Sequence, residues 1–253
     1  MDGLGVLNWV VVNDTVMGGR SEARLKWVTA RGLVWSGNLS LENNGGFVSI
    51  RTRDAWFDWS QYDGVEVELE GSGRDVQVTL QRKDLRMRGG GYWAMLPTSE
   101  AGRTRAFIPF SAFDLKRFGR SVNGPALREG LGAIGEVGLL IADKKPGAFE
   151  VVLHKVTPVR LGPDHRTSPE VASAIIGAIE RGAPIFNRGD TQGCAKLYRE
   201  TLEGLLEGPS LGQASWGRHR ISGALHHAQT EADAEAAWTM RNAMDDILRS
   251  MKR

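Results

Sequence analysis

The hydrophobic period of this chain changes once, near residue 160, and that change limits the possible folds more than any other feature. Before it, apolar and polar residues alternate, as in VEVELEG (65–71) and VQVTLQR (76–82). A period of two buries one face of an extended strand. Gly, Asn and Asp interrupt the runs, which is how short antiparallel strands end. Strands are expected near 8–12, 23–29, 32–41, 46–53, 64–71, 75–82, 91–96, 104–109, 133–142 and 148–159. So many short strands without a helical stretch make this part mainly β, a sandwich or jelly roll over 1–160.

Beyond a linker at about 161–168 the period becomes helical. Ser168 and Pro169 read as N-cap and first-turn proline. Ala172, Ile175, Ile176 and Ile179 follow at helical spacing, with Gly182 as the expected stop. Asp190 caps a second helix bearing Cys194, Leu197, Tyr198, Thr201, Leu202 and Leu205. A weaker third helix covers about 213–228, and Thr230 with Asp233 approximates a capping box for a fourth. On that last helix Ala234, Trp238, Arg241, Met244, Ile247, Leu248 and Met251 form the expected inward stripe. Four helices with short joins predict a small all-α bundle over 168–253. Arg241, on the inward side, calls for a carboxylate, which Asp190 or Glu200 could supply.

Two glycine-rich stretches interrupt the strands. In NDTVMGGRS, Asn13 and Asp14 can cap their own backbone, Val16 and Met17 tuck toward the core, and Gly18 and Gly19 permit positive φ. Arg20 and Ser21 begin the next segment. In LENNGGFVSIR, Asn43, Asn44, Gly45 and Gly46 make a turn, Phe47 starts an inward-facing strand, and Arg51 ends it polar. Each cluster has two readings: a ligand-facing loop, or a strand crossover fixed by side-chain to backbone bonds. The second accounts for every residue type.

These stretches carry a resemblance. Together with YDGVEVELEGSGRD (62–75), FIPFSAF (107–113) before Gly119-Arg120, and IGEVGLLIADKKPGAFEVVL (134–153), they resemble the complex I intermediate-associated protein family over about 8–158. Gly138, Asp143, Gly147 and Phe149 stand where the family has them, while Ser72 replaces its usual Asp. The resemblance implies a galactose-binding-like β-sandwich related in shape to carbohydrate-binding modules. It also implies a role like that of its mitochondrial members, chaperones of respiratory complex I assembly. The helical tail is an addition to that pattern.

Three features suggest binding. QRKDLRMRGGGYW (81–93) gathers Arg82, Lys83, Arg86 and Arg88 with Tyr92 and Trp93, and Arg103 and Arg105 could lie on the adjacent strand. Such a hairpin could grip phosphate, RNA or an acidic partner, or be a solvated tip. Trp56 and Trp59 could stack on sugar rings or plug the end of the sandwich. Asn187, Gly189, Asp190, Cys194 and Tyr198 cluster about a helix start that could hold an anion or simply be a capped turn.

No nucleophile elbow, zinc-protease motif or phosphate loop is present, and no cofactor or metal is expected; structural Ca²⁺ is a secondary hypothesis, with Asp14, Asp63 and Asp143 as carboxylates that could meet. One cysteine excludes an internal disulfide, and a net charge of +2 is too small to argue for nucleic acid. No apolar run reaches the roughly 20 residues of a membrane span, and the first residues lack a signal peptide's basic and apolar regions. The expectation is a soluble protein, cytoplasmic as the chain stands and periplasmic or secreted if a leader was removed. The leading reading is a non-catalytic module binding a protein partner, as an assembly or scaffolding factor. Glycan binding is the alternative, and RNA contact a weaker third.

Overall fold

The computed structural model describes residues 7–71, 73–85, 90–96, 102–160, 168–208, 211 and 216–251, apart from the side chains of 216, 219 and 250. The chain forms two compact units, 1–160 and 161–253.

The first unit is a β-sandwich. Its strands are β1 (Asn8–Asn13), β2 (Glu22–Val28), β3 (Gly32–Leu39), β4 (Val48–Arg53), β5 (Gly64–Gly71), β6 (Val76–Arg82), β7 (Gly90–Met95), β8 (Gly102–Pro109), β9 (Asp114–Arg117), β10 (Arg120–Ser121), β11 (Ile134–Ile141) and β12 (Gly147–Val159). One sheet has the order β1-β4-β11-β6-β7-β9-β10 and the other β2-β3-β12-β5-β8, and every pairing is antiparallel.

The alternation in the sequence becomes the core. Val65, Val67 and Leu69 of β5 and Val76, Val78 and Leu80 of β6 are buried, as are Ile50, Leu139, Val151 and Ile108. Trp35 is fully buried and meets Phe149 edge-on, at 5.2 Å between ring centroids. The outer face of the five-stranded sheet is a charged ladder: Arg105 and Lys155 each lie 2.9 Å from Glu66, and Arg31 lies 2.7 Å from Glu150. Arg103 pairs with Glu68 in the same way. The pairing of β8 with β5 corrects the expectation for Arg103 and Arg105, which lie on the opposite sheet from the 82–93 hairpin.

The strands β9 and β10 were not expected. They are short and read as a turn after FIPFSAF, but they extend the seven-stranded sheet past β7.

The second unit holds α1 (Pro169–Asn187), α2 (Thr191–Glu207), α3 (Trp216–His227) and α4 (Asp233–Met251). Asp190 caps α2 by accepting the Gly193 N–H at 2.8 Å, as its position implies. Gly182 does not stop α1. The helix runs five residues further, and the glycine serves a close helix crossing instead: a Cβ at Gly182 would land on the ring of buried Tyr198. Gly189, at φ 91°, lies just past the end instead.

Thr230 does not cap α4; its hydroxyl donates to the His227 carbonyl. The buried stripe of α4 is Ala236, Ala237, Met240, Ala243, Met244 and Ile247, and Trp238 is exposed. Small alanines form the seam, so the large Trp238 misdirected the expectation. On α1 likewise Val171, Ile175 and Ala178 are buried while Ile176 faces out.

Candidate functional site

The two glycine-rich motifs meet at one carboxylate. β1 delivers Asp14 at its end, where a short 3-10 turn begins, and the side chain is fully buried. Oδ1 accepts the Ser21 N–H at 2.9 Å. Oδ2 accepts the Ser21 hydroxyl at 2.6 Å, the Gly46 N–H at 2.7 Å and the Phe47 N–H at 3.3 Å. The Ser21 hydroxyl in turn accepts the Ser40 N–H at 3.0 Å. One side chain thus ties the β1–β2 crossover to the β3–β4 turn across more than thirty residues of sequence.

The glycines fit around this knot. Gly18 has φ 91° and Gly46 φ 127°, as turns require. Gly19 and Gly45 are small for a different reason. A Cβ at Gly19 would fall on the Asp14 carboxyl, and one at Gly45 would come within 2.6 Å of Oδ2. In the second turn Asn43 and Asn44 take positive φ as well, at 54° and 59°.

Three details of the opening motif are corrected. Asn13 makes no side-chain cap, and its buried Oδ1 has no partner among the described residues. Val16 and Met17 do not tuck inward: they are 71% and 60% exposed. The 3-10 turn held by Asp14 points them away from the core. Exposed Leu41 follows β3 in the neighbouring loop, and an Arg20–Glu42 ion pair of 2.6 Å bridges the two loops. An open cleft of about 500 Å³, lined by Asn38, Leu39, Leu41, Glu42, Pro146 and Gly147, adjoins Leu41.

Burial alone would raise the Asp14 carboxyl. Hydrogen bonds from the Ser21 hydroxyl and from the Gly46, Ser21 and Phe47 N–H groups outweigh that and hold it below the ordinary carboxylate range. Because the folded state binds the Asp14 proton more weakly than the unfolded chain does, the knot stabilises the fold above about pH 4. That contribution disappears as pH falls through the lowered folded value. Urea unfolding at a series of pH values should therefore show stability falling steeply below about pH 4, with a shallower fall in Asp14→Asn. An unchanged slope in the variant would remove Asp14 from the acid response.

Of the expected binding hairpin, Arg86 and Arg88 lie outside the described residues. Arg82 and Tyr92 are buried, so neither is a free gripping group. Arg82 Nε donates to Asp84 at 2.9 Å, and Nη1 donates to the Ala126 carbonyl at 2.9 Å and to the Tyr92 hydroxyl at 3.4 Å. Tyr92 donates onward to the Pro125 carbonyl at 2.8 Å. Trp93 is partly exposed, with the Lys116 ammonium 5.7 Å from its ring centre.

Trp59 is buried in a stack with Phe57 and Phe110, which makes it a plug and not a sugar platform. Trp56 is 69% exposed; its Nε1 donates to the Gly132 carbonyl at 3.3 Å, and Lys83 lies 4.4 Å over its ring. Arg51 meets Glu136 at 3.4 Å, on a carboxyl that burial pushes up and the nearby Arg51 and Arg53 pull down less strongly.

The three carboxylates that could have met do not share partners. Asp14 is in the knot, Asp63 faces Arg128 at 3.7 Å, and Asp143 pairs with Arg74 at 2.9 Å. In the helical unit Arg241 pairs with Asp245 at 3.0 Å on its own helix, not with Asp190 or Glu200, because a spacing of four residues sets that pair side by side on one helix face. The Tyr198 hydroxyl and the Cys194 thiol lie close to its guanidinium. A cavity of about 60 Å³ opens beside them, lined also by Phe186 and Trp238. Burial pushes the Cys194 thiol up, away from a reactive thiolate.

Sequence reading missed the β9–β10 turn, where Lys116, Arg117, Phe118 and Arg120 stand beside β7. The signal was present as KRFGR (116–120), basic residues around an apolar one on a glycine turn.

The family model for complex I intermediate-associated protein 30 (CIA30) matches residues 4–153. The mitochondrial complex I intermediate-associated protein 30 of Mus musculus is 29% identical over 172 residues, covering 56% of this chain and 48% of the mouse protein. The chain thus spans about half the length of that relative, whose name places it in mitochondria and not in the cytoplasmic, periplasmic or secreted location expected for this chain. Among solved structures, the family 11 carbohydrate-binding module of the Clostridium thermocellum cellulase Lic26A-Cel5E is similar over 64% of this chain and 93% of its own, at 18% identity and a TM-score of 0.48. A module specific for non-crystalline cellulose, CBM28, is similar over 61% of this chain and 89% of its own, at 10% identity and a TM-score of 0.37.

Proposed function

We propose that this chain, which belongs to the complex I intermediate-associated protein 30 family, is a non-catalytic binding protein that works by protein–protein contact as an assembly factor. The observation that carries this reading is the Asp14 knot. It joins the motifs through which the chain resembles its family, and it holds Val16 and Met17 out into solvent on a loop that the Arg20–Glu42 pair links to the one bearing exposed Leu41. Exposed apolar side chains on a loop fixed by four hydrogen bonds that a buried carboxylate accepts are costly to maintain unless something covers them. A Met adapts its shape to a partner surface, and the Arg20–Glu42 pair supplies a polar rim. The adjoining cleft can receive a projecting side chain from the partner. The mouse relative's name associates it with complex I intermediates, so an assembling multisubunit complex is the class of partner proposed.

The test is affinity capture of the full chain from cells that make it, with quantitative mass spectrometry. Wild type is compared with Val16→Asp/Met17→Asp, whose exposed positions leave the fold intact by circular dichroism. A stoichiometric protein partner depleted at least tenfold by the variant is the expected result, the loss of about 1.4 kcal/mol or more of contact. Equal recovery by both proteins would overturn this surface. Saturable binding to a glycan array, lost in Trp56→Ala, would replace the reading with carbohydrate recognition.

A further inference from the structure

We propose that the end of the sandwich bearing the β9–β10 turn is a docking surface for an anionic lipid bilayer. The turn is Arg117, Phe118, Gly119 and Arg120, all exposed, and exposure continues to residue 124. Phe118 sits at its tip with φ 48° and is 61% exposed, an unusual backbone for a large aromatic residue and one that projects the ring outward.

Cations and aromatic rings alternate over this end. Among the described residues there are three cation–aromatic pairs: Lys83 over Trp56 at 4.4 Å, Lys116 over Trp93 at 5.7 Å and Arg117 over Phe118 at 5.6 Å. All three lie here, since β9 pairs with the start of β7 and Lys83 follows the end of β6. Lys116, Arg117 and Arg120 form no ion pair with a described carboxylate, whereas Arg31, Arg103, Arg105 and Lys155 on the other sheet are each matched to a Glu. Positive charge is left available at this end and neutralised on the ladder.

The shape selects the occupant. This is a protruding turn at a sheet edge with an apolar ring at its tip. A soft planar surface with anionic headgroups over hydrocarbon matches both features: guanidinium groups meet phosphates while the ring enters the interface. A single-stranded nucleic acid would need an open stacking face, and on Phe118 one face is taken by the Arg117 guanidinium. A charged edge strand also deters strand pairing, but that purpose gives no reason for a projecting phenylalanine. The surface lies at the opposite edge and opposite end of the seven-stranded sheet from the Asp14 knot, so a bilayer and a protein partner can be held together.

The test is co-sedimentation of the full chain with phosphatidylcholine vesicles made with and without phosphatidylglycerol. Binding is expected only with phosphatidylglycerol and weakens as salt is added. Each cation contributes about fivefold, and charge reversal in Arg117→Glu/Arg120→Glu should weaken binding at least about 25-fold. Phe118→Ser should weaken it about tenfold, with circular dichroism unchanged in both variants. Val16→Asp/Met17→Asp should bind vesicles like wild type, which separates this surface from the protein contact. Failure to bind phosphatidylglycerol vesicles, equal binding by the variants, or single-stranded RNA binding with the same variant losses and no vesicle binding would overturn the proposal.

Discussion

Replacing Asp14 by alanine should destabilise the sandwich by roughly 3–6 kcal/mol, the largest single effect expected outside the hydrophobic core. The substitution leaves the N–H groups of Ser21, Gly46 and Phe47 pointing into a buried space without an acceptor. Each such loss costs about 1–3 kcal/mol, less for the long Phe47 contact and wherever water can enter. The Ser21 hydroxyl is the exception, since the Ser40 carbonyl at 3.2 Å offers it another acceptor. Asp14→Asn keeps the volume but turns an amide donor toward N–H donors, so about 2–4 kcal/mol is expected. Urea unfolding followed by tryptophan fluorescence reads the sandwich, because six of the eight tryptophans lie in it. A loss below about 1 kcal/mol in Asp14→Ala would mean the loops hold without the carboxylate. The same experiment on Gly19→Ala probes the space around it, where an added Cβ meets the Asp14 carboxyl.

The fold was legible because its period is written residue by residue. Val65, Val67 and Leu69, or Val76, Val78 and Leu80, specify a buried face whatever their partners are. Chain length and turn chemistry then leave few arrangements besides a sandwich. The candidate site was less legible because it depends on which groups meet. Asp14 looked like a local Asx cap, and nothing near it in sequence says that Gly46 and Phe47 will donate to it. Gly19 and Gly182 looked like conformational glycines, yet the atoms that require them belong to Asp14 and Tyr198. Ordinary propensity carries no record of a close approach between distant segments. The stripe of α4 failed differently: Ala236, Ala237 and Ala243 are weakly apolar, so the exposed Trp238 dominated the pattern.

Arg82 provides the second large effect, and it separates a gripping arginine from a structural one. The side chain runs from the end of β6 to the loop at 125–130: its guanidinium donates to Asp84 and Ala126, and Gly130 is bare because the guanidinium fills its Cβ position. That loop closes the end of the sandwich through buried Leu127 and Leu131, and the Leu131 carbonyl accepts the Trp59 N–H at 2.8 Å. Arg82→Ala removes charge-assisted bonds and the packing of the aliphatic stem. Asp84 is half exposed and returns to water, so the full penalty of an orphaned buried charge does not arise. A loss of about 2–4 kcal/mol follows, a fall in Tm of roughly 5–15 °C for a domain of this size. Arg82→Lys should recover less than half of it, since one ammonium cannot span Asp84 and Ala126 as the planar fork does. Thermal unfolding with tryptophan fluorescence decides the matter. An Arg82→Ala protein with wild-type Tm that no longer bound its partner would restore Arg82 to the binding surface. A lowered Tm, with lost binding regained by stabilising the variant in osmolyte, would place its role in holding the loop that supports Trp56 and Trp59.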